Sequence, residues 1–327
     1  MIKPILRACL PALLAGLLFS PTLRAETAPD CPAPLGPLPD WTAAQTADLV
    51  KSAKDKGFLW RISKGGHDSY LYGTLHMGKV EWMVPGPLLV LAMKASNKLA
   101  LEVDPTKPDA AAYMADPASW GVRYDQLSAG TQQQLRQMLR QGCLPDTLTQ
   151  QMSAAMLVTS LSMLDYLREG LDFRLSSEVV LAGLARGRKM PVVELESAKA
   201  QLDLFESLSL AEVETYAQAA AELQQSGQGR VVARRLIDAW REGRLDEMSR
   251  FEEWCDCVKT DADRDFMFKL NDARNGPMAD KVARMHEAGD KLLVAVGGLH
   301  MTGEQGLPTL LAKRGFKVKQ LVPEPAH

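Results

Sequence analysis

The chain of 327 residues contains no Gly-x-Ser-x-Gly nucleophile elbow, no His-Glu-x-x-His pair, no Gly-x-x-x-x-Gly-Lys phosphate loop and no Gly-x-Gly-x-x-Gly fingerprint. Each of those motifs supplies a geometry its chemistry needs, so the sequence argues against elbow-type serine hydrolases, zincin proteases, P-loop enzymes and dehydrogenases. Histidine and cysteine are scarce, five of each. Basic charge is not in excess, with 38 Lys and Arg against 40 Asp and Glu, which argues against nucleic acid as a partner. After the first twenty residues no stretch is apolar for the ~20 residues that a membrane span requires.

What is present begins with an export signal. Lys3 and Arg7 precede an apolar run ending at Phe19, and Ala25 is a small residue ahead of Glu26. That order describes a secretory signal peptide over residues 1–25, and Cys9 lies too early to be a lipid-attachment site. Cleavage would remove Lys3, Arg7 and Arg24 and no acid, taking the formal charge from -2 to -5. The expected location is periplasmic or secreted, with no stable membrane span after cleavage.

Four cysteines then remain, Cys31, Cys143, Cys255 and Cys257. Outside the cytosol an even count points to two disulfides, for which three connectivities exist. Because Cys255 and Cys257 are only two residues apart, the expectation is that each pairs with a distant partner, Cys31 or Cys143. A zinc site is the competing reading, but Cys-x-Cys with no nearby His lacks the usual ligand spacing.

Five prolines make residues 26–45 an extended lead-in. Residues 58–63 and 68–73 read as a hairpin around Lys64-Gly65-Gly66-His67. A helix is expected over 87–94 and a strand over 98–104. From about 110 to 288 helical periodicity dominates, with Leu135, Met138, Leu139, Met152, Met156, Leu157, Leu161 and Leu164 at spacings of three, four and seven. The methionines read as core filler, and Ser209 with Glu212 reads as a capping box. The single strand in that region is 190–196. The chain closes with a helix over 280–287, a strand over 292–296, a helix over 303–314 and a strand over 316–322. The fold class is therefore α/β, a central mixed sheet built from N- and C-terminal strands with a large helical insert. The domain would span residues 46–325.

Two of the five histidines occupy the same context. Gly73-Thr74-Leu75-His76-Met77 and Gly297-Gly298-Leu299-His300-Met301 both read Gly-x-Leu-His-Met, and both follow strand-like runs. The strand ends of an open α/β sheet are where such folds place ligands. Gly73 and Gly297 would permit close approach or a tight turn. His76 and His300 are thus expected to converge on one site, while His67, His286 and His327 read as surface residues.

These segments resemble successive signatures of the TraB/GumN family, which includes the Tiki proteins. The resemblance is carried by Leu59-Trp60-Arg61-Ile62, the stretch from Tyr70 to Gly78, Ala100-Leu101-Glu102-Val103-Asp104, Gly170-Leu171-Asp172, Val193-Glu194-Leu195-Glu196, Trp240-Arg241-Glu242-Gly243, Arg274-Asn275 and the stretch from Gly297 to Leu307. It implies a fold of the erythromycin-esterase-like and haem-binding ChaN-like type. It also implies a metal-dependent protease activity like that described for Tiki members, which uses the paired Gly-x-x-His motifs and a carboxylate with manganese or cobalt.

Two imidazoles and a carboxylate can hold a divalent ion (Mn, Co or Zn) and leave positions open for water and substrate. On this reading His76, His300 and Glu102 are ligands, with Glu102 alternatively the general base. Glu196 is a second catalytic acid or a helix-capping group. Arg274 stabilises an oxyanion or substrate carboxylate, or forms an ion pair with Asp272 or another acid. The function that follows is a metal-dependent, peptidase-like hydrolase of the cell envelope, acting on a peptide or other carbonyl-containing substrate. Two alternatives stand beside it: a metal-independent esterase-like hydrolase, and a non-catalytic haem- or metal-binding protein.

Overall fold

A computed structural model describes residues 30–323. The stretch read as a signal peptide, the first residues of the lead-in and His327 lie outside the described residues. Six strands form one mixed sheet: β1 Phe58–Lys64, β2 His67–Thr74, β3 Lys98–Leu101, β4 Val192–Glu194, β5 Leu292–Gly297 and β6 Lys317–Val322. Their spatial order is β4-β3-β5-β2-β1-β6.

The hairpin of β1 and β2 turns on Gly65 and Gly66, whose φ values of 60° and 84° suit a two-residue turn that side chains with a Cβ resist. Lys64 consequently pairs with His67. β5, Leu-Leu-Val-Ala-Val-Gly, is buried at every position, as a strand covered on both faces should be. It lies between β2 and β3 and is parallel to both, and β3 is parallel to β4. The carboxyl ends of β2, β5, β3 and β4 therefore share one edge of the sheet. The strands come from both ends of the chain and the intervening sequence is mostly helical.

The sheet packs into one core with Trp240, Met278, Val282 and Leu311. A second core lies among the helices, where Leu135, Met138, Leu139, Leu157, Leu161 and Leu164 meet Val213, Ala217 and Ala221. Met138 is buried there and Met152 packs against it, as core filler would. The helix Leu210–Ser226 opens with the Ser209–Glu212 capping box.

Three expectations need correction. The helix placed at 280–287 begins at Ala273 and follows directly on Asp261–Met267 and a π turn, Phe268–Asp272. Pro277 lies inside it; burial of Met278, Ala279 and Val282 outweighs the one lost backbone bond. The disulfides join Cys31 to Cys143 and Cys255 to Cys257. Asp256 adopts a left-handed φ of 53°, which folds the chain back until the Cα atoms of Cys255 and Cys257 are 5.0 Å apart, within bridging reach. His286, read as a surface residue, is 1% exposed. Its ring stacks on His67 at 3.9 Å; Nε2–H donates to the Lys64 carbonyl, and Nδ1 accepts from the Ser69 hydroxyl.

Candidate functional site

Four side chains follow the four parallel strands onto the shared edge: Glu196 after β4, Glu102 after β3, His300 after β5 and His76 after β2. The edge is thus lined in the order Glu196, Glu102, His300, His76. Both Gly-x-Leu-His-Met copies end in the same place because β2 and β5 are adjacent and in register, with Gly73 opposite Val296 and Thr74 opposite Gly297.

The two imidazoles are oriented in the same way by different groups. Nδ1–H of His76 donates to Oε1 of Glu178 at 2.8 Å, and Nδ1–H of His300 donates to Oδ1 of Asn275 at 2.6 Å. With Nδ1 occupied in each ring, Nε2 carries the lone pair of the neutral form. Nε2 of His300 lies 3.6 Å from Oε1 of Glu102. A Cβ added to Gly297 would sit 3.1 Å from Nε2 of His76 and 3.4 Å from Oε1 of Glu102. The three groups therefore close on one small volume over a residue that has no side chain to fill it. His76 stands at the mouth with 67% of its side chain open to solvent, whereas His300 and Glu102 are buried.

The motif glycines consequently differ in what they do. Neither has a left-handed φ, so what they provide is space and not a turn. Gly297 clears the volume between His76 and Glu102. Gly73 lets β2 lie against the core, where a Cβ would meet Phe58 at 3.1 Å and Met301 at 3.2 Å. Trp240, at the end of its helix, donates Nε1–H to the Gly73 carbonyl at 2.9 Å and fixes the strand end from below.

Glu102 is held on both oxygens. Oε1 accepts the Gly297 N–H at 2.6 Å, and Oε2 accepts from Arg274 at 2.7 Å and from Gln201 at 3.0 Å. Burial pushes its pKa up, but His300, His76, Arg274 and the Gly297 N–H outweigh burial and hold it at about 2. Glu196 does not cap the helix Ala198–Glu206, which Ser197 caps. It accepts Nε–H and Nη2–H of Arg274 and shares Gln201 with Glu102. Arg274 pairs with Glu102 and Glu196 and not with Asp272, and it also donates Nη1–H to the Leu270 carbonyl. A single Nη1–H is left uncommitted by these contacts.

The charge of Glu178 is the main cause that raises His76 to about 9. Burial lowers the pKa of His300. The sheet edge thus holds two imidazoles with opposed proton affinities beside an ionised carboxylate. Two groups escaped sequence reasoning. Glu178 lies in the first turn of the helix Ser177–Gly187, where an acid is ordinary and only its buried position against Thr74 and His76 marks it. Asn275 was legible only as part of an Arg-Asn pair; it is fully buried, and its Nδ2 has no hydrogen-bond partner, nor has Oε2 of Glu178. Among the described residues no group of three or more His, Cys, Asp or Glu side chains is arranged to hold a metal ion as it stands.

The model of the TraB/PrgY/gumN family matches residues 58–320. That span includes five of the six strands in full, β6 as far as Gln320, and every residue placed on the sheet edge. No curated protein and no solved structure matches the chain.

Proposed function

Starting from the fact that the chain belongs to the TraB/PrgY/gumN family, we propose that the sheet edge is the active centre of a metal-assisted hydrolase acting on a peptide or other carbonyl-containing substrate. The observation that carries this reading is the convergence of His76, Glu102 and His300 on the cleared volume over Gly297, with each imidazole anchored through Nδ1. The two disulfides support a cell-envelope location, since such bonds persist where the medium is oxidising.

The donor set suits a divalent ion held by His76, His300 and Glu102: two Nε2 atoms, that of His76 on releasing the proton it holds up to about pH 9, and a carboxylate, each with its far side hydrogen-bonded as metal ligands require. Bound there, the ion would acidify a water and polarise the substrate carbonyl. Glu178 and Asn275 keep the rings from rotating. His300, His76, Arg274 and the Gly297 N–H keep Glu102 ionised. Arg274 offsets the paired charges of Glu102 and Glu196, and its uncommitted Nη1–H is the donor left to meet a developing oxyanion.

A second reading is favoured by the 2.8 Å contact of His76 with a buried carboxylate: a metal-free hydrolase in which Glu178 orients His76 for proton transfer. Metal analysis of protein purified without a histidine tag separates the two. The first reading expects about one divalent ion per chain, lost together with hydrolysis in His76→Ala and in His300→Ala. Hydrolysis that persists in metal-free protein and falls in Glu178→Gln would overturn it in favour of the second.

A further inference from the structure

The two disulfides differ in what they close. Cys31–Cys143 spans 112 residues and ties the lead-in to the end of the helix Ala129–Gln141. Cys255–Cys257 spans two, and it holds the residue between them, Asp256, in a conformation that residues with a Cβ seldom adopt. So short a loop constrains the unfolded chain very little, so this bridge is poorly suited to stabilising the fold. We infer that Cys255 and Cys257 form an exchangeable dithiol–disulfide site, which reacts with dithiols at Cys257 and releases the N-terminal end of the helix that carries Arg274 and Asn275.

The two sulfurs are not equivalent. Cys255 is fully buried at the end of the helix Phe251–Trp254, its own N–H bonded to the Phe251 carbonyl. Cys257 is half-buried on the far side of the turn. An incoming thiolate therefore reaches Cys257. Its attack forms a mixed disulfide with Cys257 and breaks the bond to Cys255, which leaves as the thiolate. The Cys257 backbone N–H already points at Cys255 Sγ at 3.1 Å and stabilises that leaving charge. The second thiol of the dithiol then displaces Cys257. The protein disulfide has gained two electrons and two protons, and the dithiol has become a disulfide.

Position gives the exchange a consequence. Three residues after Cys257, Thr260 caps the helix Asp261–Met267, which continues through the π turn into Ala273–Glu287. Phe266 packs this segment against the helical core, with ring centroids 6.1 Å from Phe205 and 5.7 Å from Tyr216. Arg274 and Asn275, which hold Glu102 and His300, follow directly. A closed bridge fixes where that helix starts, and an open one allows Asp256 to relax and the start to move. This inference concerns thiol chemistry and does not depend on the hydrolase reading.

The test uses the full mature chain. After brief treatment with dithiothreitol under native conditions, free thiols are alkylated and located by peptide mass spectrometry. Cys255 and Cys257 should be labelled together while circular dichroism remains that of the folded protein. Labelling that appears only when the chain unfolds would overturn the exchange. Oxidised glutathione should form an adduct in Cys255→Ser, through Cys257, at least tenfold faster than in Cys257→Ser; equal rates would overturn the assignment of the attacked sulfur. Hydrogen exchange of residues 258–272 should rise on reduction of the wild-type chain. No change there would overturn the coupling to the helix.

Discussion

Adding one methyl group to each motif glycine separates what the two copies contribute. Gly297 has φ -48° and ψ 142°, which any L-residue adopts without strain. The atoms nearest a Cβ there are the tips of two side chains, His76 Nε2 at 3.1 Å and Glu102 Oε1 at 3.4 Å, and His76 is mostly exposed and can give way. Alanine also lowers the entropy of the unfolded chain, by ~0.4–1 kcal/mol. Gly297→Ala should therefore leave stability within about 1 kcal/mol of wild type. Its effect falls on the site: the imidazole must shift by a few tenths of an ångström, and misplacement approaching 1 Å costs ~100-fold in rate, so a loss of about tenfold in turnover is expected. At Gly73 the same methyl meets Phe58, Met301 and the Gly298 Cα at 3.1, 3.2 and 3.3 Å, all in the packed core. Overpacking of this kind costs ~1–3 kcal/mol. Urea unfolding followed by near-UV circular dichroism gives the stabilities, and titration with MnCl2 together with peptide or ester hydrolysis gives the site effect. If Gly297→Ala were as destabilised as Gly73→Ala, or bound and turned over like wild type, the volume over Gly297 would not be the reacting one.

Arg274→Met should be expensive whatever the reaction is, because it strands two largely buried carboxylates, Glu102 and Glu196; a loss of ~3–5 kcal/mol in urea unfolding is expected, and a change below 1 kcal/mol would deny the ion cluster its structural role. His286 carries a pH dependence of the opposite kind from a salt-bridged histidine. Burial, and then the charge of His67, lowers its folded pKa below 6.5, so its contribution is complete above pH 6.5 and declines as pH falls towards the folded value. The urea midpoint should drop between pH 7 and 5, and His286→Gln should flatten that slope. Cys31→Ser opens a loop of 112 residues, for which the chain-entropy model gives about 4.7 kcal/mol as an upper figure, against roughly 1.5 kcal/mol for Cys257→Ser; equal midpoints for the two variants would contradict this ordering.

Sequence alone exposed the sheet because strand identity is local. Apolar runs, turn glycines and stops at proline sit within a few residues of one another, and the structure places all six strands within about three residues of the expected bounds. It exposed His76, His300, Glu102 and Glu196 because each follows a strand directly, so a one-dimensional offset becomes a shared edge once the strands are parallel. The misses are residues whose meaning is entirely tertiary. Glu178 is an ordinary first-turn acid until the helix Ser177–Gly187 packs its carboxylate against His76. Asn275 is fixed by a helix that runs through Pro277, where local propensity says stop. His286 reads as the polar end of a helix, and only pairing of Lys64 with His67 brings a carbonyl and a second ring to meet it. The Cys255–Cys257 bridge depended on a left-handed aspartate, which composition does not announce.

Strand order also makes the site conditional on the last part of the chain. Among the described residues β5 is the only strand that touches both β3 and β2, and β6 is the remaining neighbour of β1. Without residues 290–323 the sheet would fall into two separate two-stranded pieces, β1–β2 and β3–β4, each with an apolar face and neither able to persist alone. Glu102 would lose the Gly297 N–H and the partner at 3.6 Å, and His76 would face no second imidazole. A chain ending at Gly289 should accordingly unfold without a cooperative transition, even though it keeps every helix of the helical core. Addition of a separately made 290–327 segment should restore some cooperativity, because β5 needs only to enter a slot with parallel partners on both sides. A truncated chain that unfolded cooperatively near the wild-type midpoint would mean that the helical core, and not the joined sheet, sets the stability of the whole.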